Sequence, residues 1–415
     1  MMTIEKEKNN QKQQHIHFLE VNQFKTNIIS IGFRVPLTRE NATKTALLAE
    51  VLKNGCCAYP SRRAVSQKTD DMFGSVFDIS IIKKGEEQVL FFYLEFVKYK
   101  RELMEECFVF LQNMIFAPIQ QQKGFSKQIV EREKRILEEK IKSRQDDKKE
   151  YAKLRCLEEM CKEEAFGIFA DGYIEDLSQI DENILFHHYQ NIIKHTPTEI
   201  FLTGEKTQKE AMLDFAKRMP FESDCAWKTE KKVNQQQKEV KQIKETLHTA
   251  QSRIALGFWT KIQPESKEYA ALLVCNELFG GSPASLLFQQ VREKEGACYD
   301  ISSFLFRLQP ILMVKAGIQK QDYDKAVEMI QKALKMLQQK KVEKEPLQEA
   351  KENIVRYYEA MKDSQTALMD FAWNEKVLKT NRNISQFVAE IKAVTAEAVQ
   401  KSAQGIFLDT VYFLQ

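Results

Sequence analysis

Apolar and polar residues alternate through 27–35, where Ile29, Ile31 and Phe33 fall on one face, so this stretch predicts a β-strand. A helical spacing follows over 41–53, with Leu47, Leu48, Val51 and Leu52 on one side. A second helix leads to two strands, 77–82 and 88–96, whose short link predicts an antiparallel hairpin. An amphipathic helix is expected over 102–115. The same succession recurs later, ending in strands over 299–306 and 311–317 and an amphipathic helix over 323–337.

The letters repeat along with the pattern. Ile29-Ser30-Ile31-Gly32-Phe33 reads like Ile254-Ala255-Leu256-Gly257-Phe258, with the glycines 225 positions apart. Leu47-Leu48 meets Leu272-Leu273, and Gly55 meets Gly280, at that same offset. A second block, Gly74-Ser75-Val76-Phe77-Asp78-Ile79-Ser80, resembles Gly296-Ala297-Cys298-Tyr299-Asp300-Ile301-Ser302 at an offset of 222. Two blocks in order at nearly one offset mark an internal duplication. The expected fold class is α+β, built from two homologous α/β domains over 1–222 and 246–415. Each would have an antiparallel-rich sheet with packed helices. Between them, 223–245 is rich in Lys and Gln, with little to form a core, and reads as a linker.

Composition narrows the function classes. The 415 residues carry 62 basic and 59 acidic side chains, a net charge of +3, which gives no reason to expect a nucleic-acid partner. The amino terminus lacks the apolar core of a signal peptide, and no apolar run is long enough for a membrane helix. A cytoplasmic protein without a membrane partner is therefore expected. The eight cysteines form no CxxC pair and read as reduced thiols.

The densest motif lies in the second copy. Leu278-Phe279-Gly280-Gly281-Ser282-Pro283 leads through Leu286-Leu287-Phe288 to Arg292-Glu293-Lys294-Glu295-Gly296-Ala297-Cys298-Tyr299. This composite resembles the M16 (insulinase-like) metallopeptidase family. Weaker similarity runs along nearly the whole chain, including the tandem halves and the linker. The resemblance implies LuxS/metallohydrolase-like domains whose two halves enclose a chamber for unfolded peptide. It is closest to small bacterial members without the metal motif, some named for association with 5-aminopentanol modification of elongation factor P. Such members occur beside a sibling that keeps the motif.

Active relatives carry His-x-x-Glu-His on the first helix. Its two histidines share one zinc from the same helix face, and its glutamate activates water. Counted back from Gly55, those positions fall on Ala46, Ala49 and Glu50, with Ala46 and Glu50 in place of the histidines. Alanine supplies neither ligand nor base, so no catalytic residue and no cofactor are expected. The family's later carboxylate pair, seven apart, matches Glu131 and Glu138, two turns apart on one helix face. They are vestigial metal candidates, or simply a solvated face. His17-Phe18-Leu19-Glu20 spells the motif's first four letters, but Val21 takes the fifth place. Its Ile16 and Phe18 alternation reads as a strand, which would point positions 17 and 20 to opposite faces. His187, His188, His195 and His248 read as core or surface residues.

Arg292 and Tyr299 keep the family spacing. In relatives such a pair grips the substrate backbone; read alone, the residues leave open a surface ion pair and a packed strand ring. The sequence thus predicts a non-catalytic subunit that binds a peptide or unfolded segment and pairs with a zinc-bearing M16 sibling. Two alternatives stay open. One is a hydrolase holding a hard cation on Glu50, Glu131 and Glu138; the other is a structural or regulatory scaffold.

Overall fold

The computed structural model describes residues 4–8, 14–98, 101–221, 239–247 and 251–415. Its strands are β1 (Ile4–Lys8), β2 (Gln14–Glu20), β3 (Thr26–Pro36), β4 (Val76–Lys84), β5 (Glu87–Val97) and β6 (Thr198–Gly204), then β7 (Lys241–Glu245), β8 (Ser252–Thr260), β9 (Asp300–Leu305), β10 (Ile311–Ile318) and β11 (Ile406–Leu414). They form two sheets, ordered β1-β2-β6-β3-β5-β4 and β7-β11-β8-β10-β9.

The duplication read from the sequence is a duplication of topology. Beyond the extra strand β1, each position of the first sheet has its counterpart in the second. In each sheet one pair is parallel, β2 with β6 and β7 with β11. The counterpart pairs β3–β6 and β8–β11 are antiparallel, as are β3–β5 and β8–β10. The hairpins β4–β5 and β9–β10 close one edge of each sheet. The central strands β3, β8 and β10 are buried almost throughout, because they carry neighbours on both edges and helices on a face. Gly74 and Gly296, equivalent in the two copies, both adopt left-handed torsions (φ +70° and +59°) just before the edge strand of each hairpin. That backbone requirement accounts for the glycine match.

The predicted elements all form, with ends shifted by a residue or two. The 41–53 helix is Arg39–Leu52, 102–115 is Arg101–Phe116, and 323–337 is Tyr323–Gln339. The division into contiguous halves needs correction. Met1–Ser143 with Ile168–Lys231 make one compact unit, and Arg144–Gly167 with Lys232–Gln415 make the other. The cause is the helix Lys148–Met160, whose apolar side packs on the second sheet. Tyr151, Cys156, Leu157 and Met160 join Ala255, Trp259, Met313 and Tyr412 in one buried cluster. The repeat glycine Gly257 permits this approach, since a Cβ there would lie 2.6 Å from the Met160 sulfur. The expected linker is corrected as well. Residues 222–238 fall outside the described chain, but Lys241–Glu245 is strand β7, anchored where the Tyr151 hydroxyl donates to Glu245 at 2.7 Å.

The first unit has its own core. Phe33, Phe92 and Phe110 are fully buried with Leu47, Leu48 and Leu52 of the first long helix, at roughly 1.5–3 kcal/mol per side chain removed from water.

Candidate functional site

Thr38 caps the helix Arg39–Leu52 by accepting from the Asn41 amide at 3.2 Å. The helix turns most of its surface inward, and Ala46 and Ala49 are only 5% and 2% exposed. Methyl groups thus occupy two of the three motif positions inside a packed core. The third, Glu50, lies 3.5 Å from both the Lys53 and the Lys140 ammonium groups, which compensate its charge.

The helix Lys127–Lys142 contacts this motif helix, yet neither sequence-predicted carboxylate on it joins Glu50. Glu131 pairs with Lys134 at 2.8 Å and Glu138 with Lys142 at 2.7 Å, both partly open to solvent. The inward positions are instead Val130, Glu133, Leu137 and Ile141. Glu133, which sequence reasoning missed, is the buried acid of this helix. It accepts from Asn54 at 3.1 Å, from Arg62 at 3.0 Å and from the Arg132 Nε at 3.0 Å. Both guanidinium groups also bond the Asn54 side-chain oxygen. The 130/133/137/141 spacing, apolar but for one acid, was the signal that could have found it. Among the described residues no three His, Cys, Asp or Glu side chains are grouped to hold a metal ion. This geometry does not support a carboxylate cation site on Glu50, Glu131 and Glu138.

The motif-like His17 lies in strand β2, as its alternation predicted. Its carboxylate partner is not Glu20 but Glu199 of β6. His17 Nε2 lies 2.7 Å from Glu199 Oε2, and His15 Nδ1 lies 3.0 Å from Oε1. Arg34 donates to the same carboxylate at 3.2 Å and is held by Glu87 from the other side. Burial alone would raise the Glu199 carboxyl, but the hydrogen bonds and charge of the two histidines prevail and hold it down at about 2. His188 is buried with its Nε2 2.9 Å from the Thr45 hydroxyl, and burial pushes its basicity down to about 3. It serves the core behind the motif helix, while His248 lies outside the described residues.

In the second unit the chain winds as a wide π-helix over Leu287–Lys294, a form that costs regular hydrogen bonding and often marks functional positions. Arg292 sits near its end with its guanidinium 4.4 Å from the Phe288 ring centre. Its only described ion-pair contact is a loose one to Glu293, at 3.7 Å. The following turn is pinned at both ends. The Gly296 amide donates to the Arg292 carbonyl at 3.1 Å, and the Tyr299 amide donates to the Gly317 carbonyl at 2.8 Å. Tyr299 is 54% exposed, and its hydroxyl accepts from the Gln319 side chain at 2.9 Å. Arg292 and Tyr299 thus flank one fixed turn with much of their donor capacity facing outward. Gly280 has φ −158°, which any residue can adopt. Its role is close approach: a Cβ would lie 2.6 Å from the Leu287 and Ser303 side chains.

The model for the "Peptidase M16 inactive domain" matches residues 180–354. Over 404 residues the chain is 28% identical to a "Probable inactive metalloprotease YmfF" of Bacillus subtilis strain 168, covering 96% of this chain and 95% of the relative. Over nearly its whole length it is similar to an inactive-type M16 peptidase. A second B. subtilis protein, an "Uncharacterized zinc protease YmxG", is 26% identical over 164 residues, 39% of this chain and 40% of its own length. The crystal structure of a conserved protein from Enterococcus faecalis V583 superposes with a TM-score of 0.90 at 25% identity, covering 97% of this chain and 96% of that chain. No helix among the described residues is long and apolar enough to cross a membrane.

Proposed function

We propose that this M16 homologue is a non-catalytic, cytoplasmic subunit that captures extended polypeptide and pairs with a zinc-bearing M16 sibling, which performs the hydrolysis. The observation that carries this reading is an asymmetry. The motif positions are filled by Ala46, Ala49 and a lysine-paired Glu50, whereas Arg292 and Tyr299 stay open to solvent on a pinned turn. An arginine fork and a phenol hydroxyl are suited to backbone carbonyls, which every polypeptide offers. The B. subtilis relatives, one named inactive and one named a zinc protease, occur together in one organism. A link to modification of elongation factor P belongs to the same reading.

The test is co-expression with the zinc-bearing sibling encoded in the same genome, followed by size-exclusion chromatography and cleavage of an unstructured peptide. The expected result is a co-eluting complex, with zinc and cleavage present only when the sibling is. Arg292→Ala should weaken peptide capture without breaking the complex. Stoichiometric zinc and peptide cleavage by this chain alone would overturn the proposal, as would failure of the two chains to associate.

A further inference from the structure

A separate cavity of about 680 Å³ lies wholly within the second unit, away from the Arg292 turn in sequence. It is built where the end of β8 and the start of the helix Tyr269–Asn276 meet the helix Ala396–Gln404. Its volume falls within the roughly 300–1,000 Å³ of small-molecule sites. The wall is mostly apolar, from side chains such as Ile262, Ala271, Val394 and Ala398. Small side chains there leave the space that larger ones would fill.

The charged lining is unbalanced. Lys261, Lys267 and Lys401 all border the cavity, and none has a carboxylate partner among the described residues. Of the two acids present, Glu390 is engaged by Arg382 at 2.9 Å, which leaves Glu268 alone against three ammonium groups. The amino end of the helix Ala396–Gln404 adds positive potential from the same side. There Thr395, also in the lining, accepts from the Ala398 amide at 3.2 Å. Elsewhere on this chain lysines commonly pair with acids, as Lys53, Lys134 and Lys142 do. Three unpaired lysines around one apolar hollow therefore constitute an anion-selective rim on a hydrophobic floor.

We propose that this cavity binds a small amphipathic monoanion, an apolar chain or ring bearing one carboxylate. The apolar body displaces water from the alanine-rich wall, and the carboxylate sits among the lysine ammonium groups. Either a free fatty-acid-type molecule or the carboxylate end of a short apolar peptide presents this chemistry.

Calorimetric titration of the full chain with decanoate tests the proposal, with decanol and decyltrimethylammonium as neutral and cationic controls. Saturable one-site binding of decanoate, and weaker binding of both controls, is expected. The double variant Lys267→Glu/Lys401→Glu should weaken decanoate by roughly tenfold or more, the loss expected for a charged contact. Ala398→Phe should fill the space and remove binding. Lys261→Glu, at an exposed position, serves as the charge reversal if the double variant melts early. A hexapeptide ending in leucine, as free acid against its amide, separates the two sources of the carboxylate. Absence of saturable decanoate binding overturns the proposal. So does equal binding of decyltrimethylammonium, or decanoate binding unchanged by both the charge and the filling variants.

Discussion

The Glu133 network offers a sharp test because its two sides are unequally buried. Glu133 is fully buried, while Arg62 and Arg132 are 52% and 53% exposed. Glu133→Gln removes the charge but keeps an amide oxygen for Asn54, and the freed guanidinium groups can turn to water. The expected loss is about 1–2 kcal/mol, the range for a weakened buried hydrogen-bond set. The double variant Arg62→Ala/Arg132→Ala does the opposite, leaving a buried carboxylate with only Asn54 at 3.1 Å. That stranded charge should cost about 3–5 kcal/mol. Adding Glu133→Leu to the double variant should recover most of the loss, since the neighbours Val130 and Leu137 are already apolar. Urea denaturation of the four proteins at neutral pH measures the series. If Glu133→Gln is as destabilising as the double arginine variant, the argument from unequal burial is wrong.

Gly296→Ala, with nothing within 4 Å of the new methyl but a left-handed φ, should cost about 1–2 kcal/mol in thermal unfolding. Gly280→Ala should cost more, because its methyl meets the Ser303 backbone nitrogen at 2.8 Å. His188, neutral when folded down to about pH 3 but protonated in the unfolded chain below about 6.5, makes stability fall as pH drops through that window. The total is on the order of 5 kcal/mol. Unfolding at pH 7, 5 and 3 should show His188→Gln, which cannot titrate, with a shallower fall than the parent. Cys57, the exposed thiol among the described cysteines, should label fast with a maleimide, whereas Cys107, buried and pushed up to about 12, should not. Mass spectrometry of Cys57→Ser and Cys107→Ser reads the difference: only the first should lose a fast adduct.

Much of the fold was legible because it rests on local pattern. The hairpin strands 77–82 and 88–96 and the helix at 41–53 alternate or turn at a fixed period, and the duplication confirms each reading with a second copy. Strands β6 and β11 went unread because their partners are remote. Ile200 pairs with Ile31, and Tyr412 with Ala255, over separations that no local window spans. The empty metal motif was legible from two alanines alone. The carboxylate register on the helix Lys127–Lys142 was not, since a spacing of seven fits Glu131 and Glu138 as well as the inward Val130 and Leu137. Only the contacts with Asn54 and Arg62 single out Glu133. The need for glycine at 280 was not legible, because it lies in Leu287 and Ser303 closing over it.

The helix Lys148–Met160 has a consequence for synthesis on the ribosome. Its apolar side is made early, yet Tyr412 and Leu414, two of the side chains it packs against, follow Met160 by about 250 residues. At roughly 5–20 residues per second, that surface waits for some tens of seconds without its sheet. Tyr151, Leu157 and Met160 then form a transient sticky face on a chain whose first sheet can already be complete. Nascent copies in one polysome would be prone to pair through that face, and a chaperone with affinity for short apolar helices would find its site there.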